Sequence, residues 1–215
     1  MEDFVRENNL RGYQRLYAPL ISEVESARRG LVNEAAAILL SRDINWNGVF
    51  TIRRRVDLTD VFQEAHRYIT GDIKLAKFEA PSDAEVRETR ELYSRLRELF
   101  GGPAAHLYRP NPPFRGCGLI ASCNGDIIGN DGSLYEIKNG ERSFRSLDYR
   151  QISVYFALYY AQKKVIIPTL SLVNARMGIS IKMQSDDFAR GVSGLSAADY
   201  CQNLIDSFSA ALTSN

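Results

Sequence analysis

Asp126-Ile127-Ile128-Gly129-Asn130-Asp131-Gly132-Ser133-Leu134-Tyr135-Glu136-Ile137-Lys138 is the stretch that decides the fold. Two short apolar runs flank Gly129-Asn130-Asp131-Gly132, and that combination predicts two strands joined by a tight turn. Strand side chains alternate with period two, so Glu136 and Lys138 share one face while Ile137 is expected to point into an opposite, apolar layer. Upstream, Leu119 to Cys123 reads as a further strand before the turn signal Asn124-Gly125, so this part of the chain is expected to open as a meander.

Downstream the period changes. Ser146 is expected to cap a helix and Asp148 to favour its positive end, with Ile152, Tyr155, Phe156 and Tyr159 carrying the segment to about Ala161. Val165 to Leu172 and Gly178 to Met183 read as two more strands around a turn at Asn174 to Gly178. Pro168 has no amide proton for a ladder, which places its part of the strand at an edge or bulge. Ser196 with Asp199 starts a last helix with Tyr200, Cys201, Leu204, Ile205, Phe208 and Leu212 as its apolar stripe.

The first hundred residues read as mostly helical. Leu16, Leu20, Ile21, Val24, Leu31, Ala35, Ile38 and Leu39 approximate a 3.6-residue period over residues 10–40, with Pro19 near a helix start or break. Asn45-Trp46-Asn47-Gly48 is a turn signal, followed by a short strand or extended lead at Val49 to Ile52. Val61, Phe62, Ala65, Tyr68 and Ile69 make another helical face, and Pro81-Ser82-Asp83 opens a charged helix ending near Phe100. Gly101-Gly102-Pro103 and Pro110-Asn111-Pro112-Pro113 break the pattern. The expected organisation is a helical region over residues 1–105 packed on an α/β core over 106–215, a mixed sheet flanked by helices in one compact domain.

At 215 residues, with 45% apolar and 25% charged side chains, the chain can bury one sizeable core. Its 27 Lys and Arg against 26 Asp and Glu leave a net charge of +1, so any polyanion must be met by a local basic patch. No apolar run is long enough to span a bilayer, and Met1-Glu2-Asp3-Phe4 lacks the basic and apolar regions of a signal peptide. No membrane partner and a cytoplasmic, reducing location are expected. Cys117, Cys123 and Cys201 cannot supply a four-cysteine iron–sulfur cluster, and a zinc site from Cys117, Cys123 and either His66 or His106 has unsuitable spacing. Buried reduced thiols are the better reading.

Asp126 on the strand beside Glu136 brings two carboxylates together, and such a pair is costly unless a cation lies between them. The Ile137 carbonyl is a third candidate ligand. Lys138 on the same face is placed to orient or deprotonate a water, or to stabilise phosphorane charge. Gln151 and Tyr155, at i and i+4, share a helix face and reach the site periphery or a substrate phosphate. Arg142, Arg145 and Arg150, with Lys163 and Lys164, are candidates for phosphate contacts. Each has a plainer rival: a surface salt bridge for Glu136 and Lys138, a core role for Tyr155, a solvated rim for the arginines. Arg53-Arg54-Arg55 reads as a nucleic-acid track or as surface decoration, the latter favoured. Asp72-Ile73-Lys74 repeats the acid-apolar-basic pattern but lacks a following strand and glutamine helix.

In that order, Asp126, Glu136-x-Lys138 and Gln151-x-x-x-Tyr155 resemble the PD-(D/E)XK nuclease superfamily, in its RecB-type branch. The resemblance covers residues 116–183, and Gly125 stands where the family often has proline. It implies a restriction-endonuclease-like fold, with Asp126, Glu136, Lys138, Gln151 and Tyr155 catalytic, and Mg²⁺ or Mn²⁺ held by Asp126, Glu136 and Ile137. It further implies hydrolysis of phosphodiesters, most readily of DNA, by a subunit or effector in defence against foreign DNA or in repair. An ATPase or helicase is the kind of protein partner expected. In the family an acid from an early helix often completes the site, for which Glu64 and Glu98 are candidates. The alternative is a catalytically silent nuclease-fold subunit that binds nucleic acid or acts as a scaffold.

Overall fold

The computed structural model describes residues 1–45, 58–71 and 77–213. The turn at Trp46 to Gly48, the lead at Val49 to Ile52, Arg53 to Arg55 and Asp72-Ile73-Lys74 lie outside the described residues. In chain order the elements are Glu2–Arg11 (α1), Gln14–Arg15 (β1), Arg29–Asn45 (α2), Thr59–Thr70 (α3), Asp83–Phe100 (α4), Tyr108–Pro110 (β2), Pro113–Phe114 (β3), Cys123–Asn124 (β4), Ile127–Gly129 (β5), Ser133–Lys138 (β6), Ser146–Lys163 (α5), Thr169–Asn174 (β7), Ile179–Gln184 (β8), Ser185–Ser193 (α6) and Ala197–Thr213 (α7). The architecture is α/β: a six-stranded mixed sheet in the order β1-β8-β7-β6-β5-β2, flanked by helices, with β3 and β4 forming a separate two-stranded ribbon.

The chain divides into two compact units, Leu20–Tyr108 and a second made of Met1–Pro19 with Arg109–Asn215. The first nineteen residues therefore belong with the sheet, not with the helical region that was expected to span 1–105.

In the sheet unit, β5 and β6 pair antiparallel, β6 and β7 pair parallel, and β7 and β8 pair antiparallel. The parallel step is bridged by α5, as a crossover requires. Registers Leu134↔Leu170, Glu136↔Leu172 and Lys138↔Asn174, continued by Leu170↔Met183 and Leu172↔Ile181, set one face of the sheet. This face carries the core: Leu134, Leu170, Leu172, Ile179, Ile181 and Met183 cluster with Tyr149, Ile152 and Phe156 of α5. Helix α5 buries Tyr149, Ile152, Ser153 and Phe156, the i, i+3, i+4, i+7 stripe of an amphipathic helix. Edge contacts of Phe4 with Tyr149 and Phe188, and of Phe188 with Tyr200, tie α1, α5, α6 and α7 into one aromatic cluster.

Several expectations change. The layer opposite Glu136 and Lys138 is not apolar: Ser133, Thr169 and Ser171 are buried on it beside Tyr135, Ile137 and Val173, so the chemistry shares its face with the core. Leu119 to Cys123 is not a strand; Cys117 to Ile120 is a tight turn, and Cys123–Asn124 pairs with Pro113–Phe114. The meander thus reduces to the β5–β6 hairpin, closed by Gly132 N donating to Gly129 O. Residues 12–25 are not helical: β1 pairs with β8, and Ile21 is exposed. Pro168 does not mark an edge, because β7 is interior; it stands just before the strand and its carbonyl accepts from Ser185 N. Ser146 is not the cap of α5; Arg145 holds that position, and Asp148 accepts from the Arg145 amide. Tyr68 and Ile69 are exposed, leaving Val61, Phe62 and Ala65 as the buried face of α3.

The caps of α4 and α7 follow the sequence. Ser82 and Glu85 form a reciprocal capping box, and Ser196 Oγ accepts from Asp199 N. In the Leu20–Tyr108 unit, α2 buries Leu31, Val32, Ala35, Ala36 and Leu39, while Leu92 and Leu96 are the buried leucines of α4. The buried Asp43 accepts from Gly102 N at 2.9 Å. Among the described residues no helix is long and apolar enough to cross a membrane.

Gly178, at φ +63°, closes the β7–β8 turn, and its carbonyl accepts from Leu16 N and Tyr17 N. A Cβ there would overlap the Tyr17 carbonyl, whereas one at Gly194, φ +77°, meets nothing. Gly194→Ala is expected to lose about 1–2 kcal/mol for left-handed backbone alone. Gly178→Ala should lose about 1–3 kcal/mol more through the overlap, read as the difference between the two variants in urea denaturation.

Candidate functional site

Extending the β5–β6 register Ile127↔Tyr135 by one residue places Asp126 opposite Glu136, on the same face. Asp126 Oδ2 accepts the Ile137 amide at 2.6 Å, taking the place of a ladder bond where β5 pairing has ended. In a strand the N–H and C=O of one residue leave by the same edge, so the Ile137 carbonyl also faces this end of β5.

Glu136 is 1% exposed, and Lys138, two residues on, sends its ammonium back to Glu136 Oε1 at 2.6 Å. The same Nζ donates to Gln151 Oε1 at 2.7 Å, and Gln151 Nε2 donates to Tyr155 Oη at 2.9 Å. Gln151 and Tyr155 thus share a face of α5 as their spacing predicts, and Phe114 of β3 stacks on the Tyr155 ring at 5.4 Å between centroids. The second Glu136 oxygen, Oε2, is buried and accepts no hydrogen bond from the protein.

The electrostatics follow from burial. Desolvation first, and the Asp126 charge second, push the Glu136 carboxyl up to about 8 against the pull of Lys138. Burial also raises Asp126, opposed by the Ile137 amide and Lys138. Tyr155 is pushed up to about 12, chiefly by burial, and is a neutral phenol at ordinary pH.

Asp148 was noted in the sequence only for its place at a helix start. Burial would raise its carboxyl too, but the Arg142 hydrogen bond, the Arg145 amide and Lys138 hold it below the usual range. Arg142 clasps it with two bonds, of 2.6 and 3.0 Å, and Lys138 Nζ lies 3.9 Å from its Oδ1. Arg142, expected as a phosphate contact, is thus paired with a buried carboxylate. Arg145 and Arg150 are exposed, the latter 3.8 Å from Glu2. Lys163 and Lys164 are exposed at the far end of α5. The loop between β6 and α5 is pinned by buried side chains: Asn174 Nδ2 donates to the carbonyls of Gly140 and Arg142, and Arg176 Nε to that of Asn139. Asn174 was read only as the start of a turn and Arg176 not at all, because nothing local marks a side chain that serves a distant backbone.

Among the described residues no group of three or more His, Cys, Asp or Glu gathers to hold an ion. The donor set at this site is two carboxylates and one main-chain carbonyl, and the orphaned Glu136 Oε2 is what a hard cation would satisfy. The residues present fit Mg²⁺ or Mn²⁺ in that form. Glu64 and Glu98 lie in the Leu20–Tyr108 unit, where Glu64 bonds Arg42 at 2.6 Å. All three cysteines are free thiols, Cys201 buried and the others half-buried. Compared with family models, curated proteins and solved structures, the chain matches none.

A carboxyl that binds its proton more tightly folded than unfolded makes stability fall as pH rises between the two values. For Glu136 that window runs from 4.5 to about 8. In chelator-treated protein, the melting temperature of the wild type should fall relative to Glu136→Gln across this range and then level off. Each kcal/mol corresponds to about 2–4 °C in a chain of this size, and parallel melting curves from pH 5 to 9 would exclude the burial argument.

Proposed function

We propose that the chain is a divalent-metal-dependent nuclease that hydrolyses phosphodiester bonds, DNA being the favoured substrate. The observation that carries this reading is the juxtaposition of Asp126, the half-unsatisfied Glu136 and Lys138 at the end of β6. Two carboxylates that repel each other in a dry setting are poorly suited to a purely structural role and well suited to a cation. The order of these residues, with Gln151 and Tyr155, also resembles the PD-(D/E)XK superfamily.

In this reading Asp126, Glu136 Oε2 and the Ile137 carbonyl hold Mg²⁺ or Mn²⁺. When bound, such an ion activates water at neutral pH and screens the charge of the phosphoryl group. The chain's own side chains supply the rest. Lys138 has three N–H donors, two of them engaged by Glu136 and Gln151, and its partly exposed ammonium can give the third to a water or a phosphoryl oxygen. Gln151 fixes the direction of that ammonium, and Tyr155, neutral and braced by Phe114, keeps its phenol proton for a phosphate or sugar oxygen. Arg145 and Arg150 extend positive charge along the exposed start of α5, the local basic surface that a chain of near-zero net charge needs to hold a polyanion. A role as a subunit or effector beside an ATPase or helicase, in anti-phage defence or DNA repair, is the context the resemblance supports, and a cytoplasmic location accords with it.

Linear DNA incubated with Mg²⁺ should be cut by the wild type and spared when the metal is chelated. Glu136→Ala and Asp126→Asn should each lower the rate by about 10²–10⁴-fold, and Lys138→Ala by a similar factor. A catalytically silent scaffold would show no metal-dependent cleavage in any form.

Metal binding is checked separately by titrating Mn²⁺ and following its paramagnetic signal. Asp126→Asn should abolish saturable binding while the melting curve of the chelated protein persists; unchanged affinity would remove Asp126 from the ligand set. Arg145→Ala should weaken DNA binding and lower the salt slope by about 1.

A further inference from the structure

Lys138 serves two carboxylates. Its Nζ bonds Glu136 Oε1 at 2.6 Å and stands 3.9 Å from Asp148 Oδ1; among the described residues these are the carboxylates within ion-pair distance of it. The two differ in how they are held. Glu136 keeps one oxygen unsatisfied, open to a positively charged ligand. Asp148 is 2% exposed and anchored on three sides, by both terminal nitrogens of Arg142 and by the Arg145 amide. Arg142 is held in turn, since its own carbonyl accepts from Asn174 and its Nη1 donates to Ser143 O.

A cation on Glu136 would take up the charge that the ionised carboxylate otherwise offers the Lys138 ammonium, and a mostly buried ammonium without a counter-charge leaves for solvent. We propose that Asp148 is a positioning residue that retains the Lys138 ammonium in the site when Glu136 is neutralised. A displacement of about 1 Å brings Nζ from its present distance to hydrogen-bonding range of Oδ1. Gln151, which already bonds Nζ, guides the movement without supplying charge. Asp148 touches neither a water nor a phosphate in this scheme. It acts through Lys138, and Arg142 acts through Asp148.

The catalytic meaning rests on the nuclease reading, but the retention of Lys138 can be measured without activity or metal. The probe is acetylation of lysines by an N-hydroxysuccinimide ester, quantified by mass spectrometry on the full chain, with the exposed Lys182 as internal standard. Glu136→Gln stands in for the neutralised carboxylate. Acetylation of Lys138 should stay within about threefold of wild type in Glu136→Gln and in Asp148→Asn. In the double variant it should rise at least about tenfold, as the last carboxylate within ion-pair distance is lost. Thiol labelling of the buried Cys201 monitors folding, and Asp148→Ser, which keeps an acceptor for the Arg145 amide, replaces Asp148→Asn if that variant labels at Cys201.

Lys138 as reactive in Glu136→Gln as in the double variant, or protected in both, overturns the proposal. If the wild type cuts DNA, Asp148→Asn should lower kcat with KM and Mn²⁺ affinity unchanged. It should add no further loss to Lys138→Ala, a non-additivity that a general structural role would not produce. A wild type that cuts nothing sinks the nuclease reading alone, since the acetylation pattern still decides the role of Asp148.

Discussion

One ammonium links the buried acids at the end of β6, with Arg142 sharing the charge of Asp148. Asp126, Glu136 and Asp148 converge there from three places in the sequence, and the Lys138 amine is the cation that touches their shared ground. Removing it would leave like charges facing one another in a low-dielectric setting, where each must be protonated or hydrated to persist. The strand that carries Lys138 is interior to the sheet, so the charge cluster and the apolar core are built by the same few residues.

This sharing of a face explains the layout of the helix above it. Its first two turns supply Asp148 and Gln151 to the polar end, and Ile152 and Phe156 carry its neighbouring face into the greasy middle, without a change of direction. A site placed at the rim of a core inherits the rigidity of that core. It also inherits low dielectric, which strengthens each hydrogen bond and raises the cost of each unpaired charge.

How far the sequence was legible follows the same division between local and distant causes. Strand β6 and its Glu136–Lys138 alternation could be read because period two is a local property, and the Gln151–Tyr155 pair because four residues make nearly one helical turn. The capping box of α4 and the serine cap of α7 are local in the same way. What escaped depends on partners far along the chain: residues 14–15 count as a strand only because β8 offers them an edge, and Leu119 to Cys123 fails to be one because only its last residue, Cys123, pairs with another strand. Arg142 looked like a free cation because its partner, six residues on, is revealed only when α5 begins at Ser146 and turns Asp148 back toward the loop. The identity of the opposite face of the sheet was misjudged for a similar reason, since Ser133, Thr169 and Ser171 come from strands whose register is set by pairing.

The pairing of Gln14 with Ser180 and the docking of Leu16 and Tyr17 on the Gly178 carbonyl have a consequence for biosynthesis. This segment has its resting place on a strand made much later in the chain. At about 5–20 residues per second, it must wait on the order of ten seconds before that edge exists. Such long loop closure slows folding and leaves the segment without its pairing edge meanwhile.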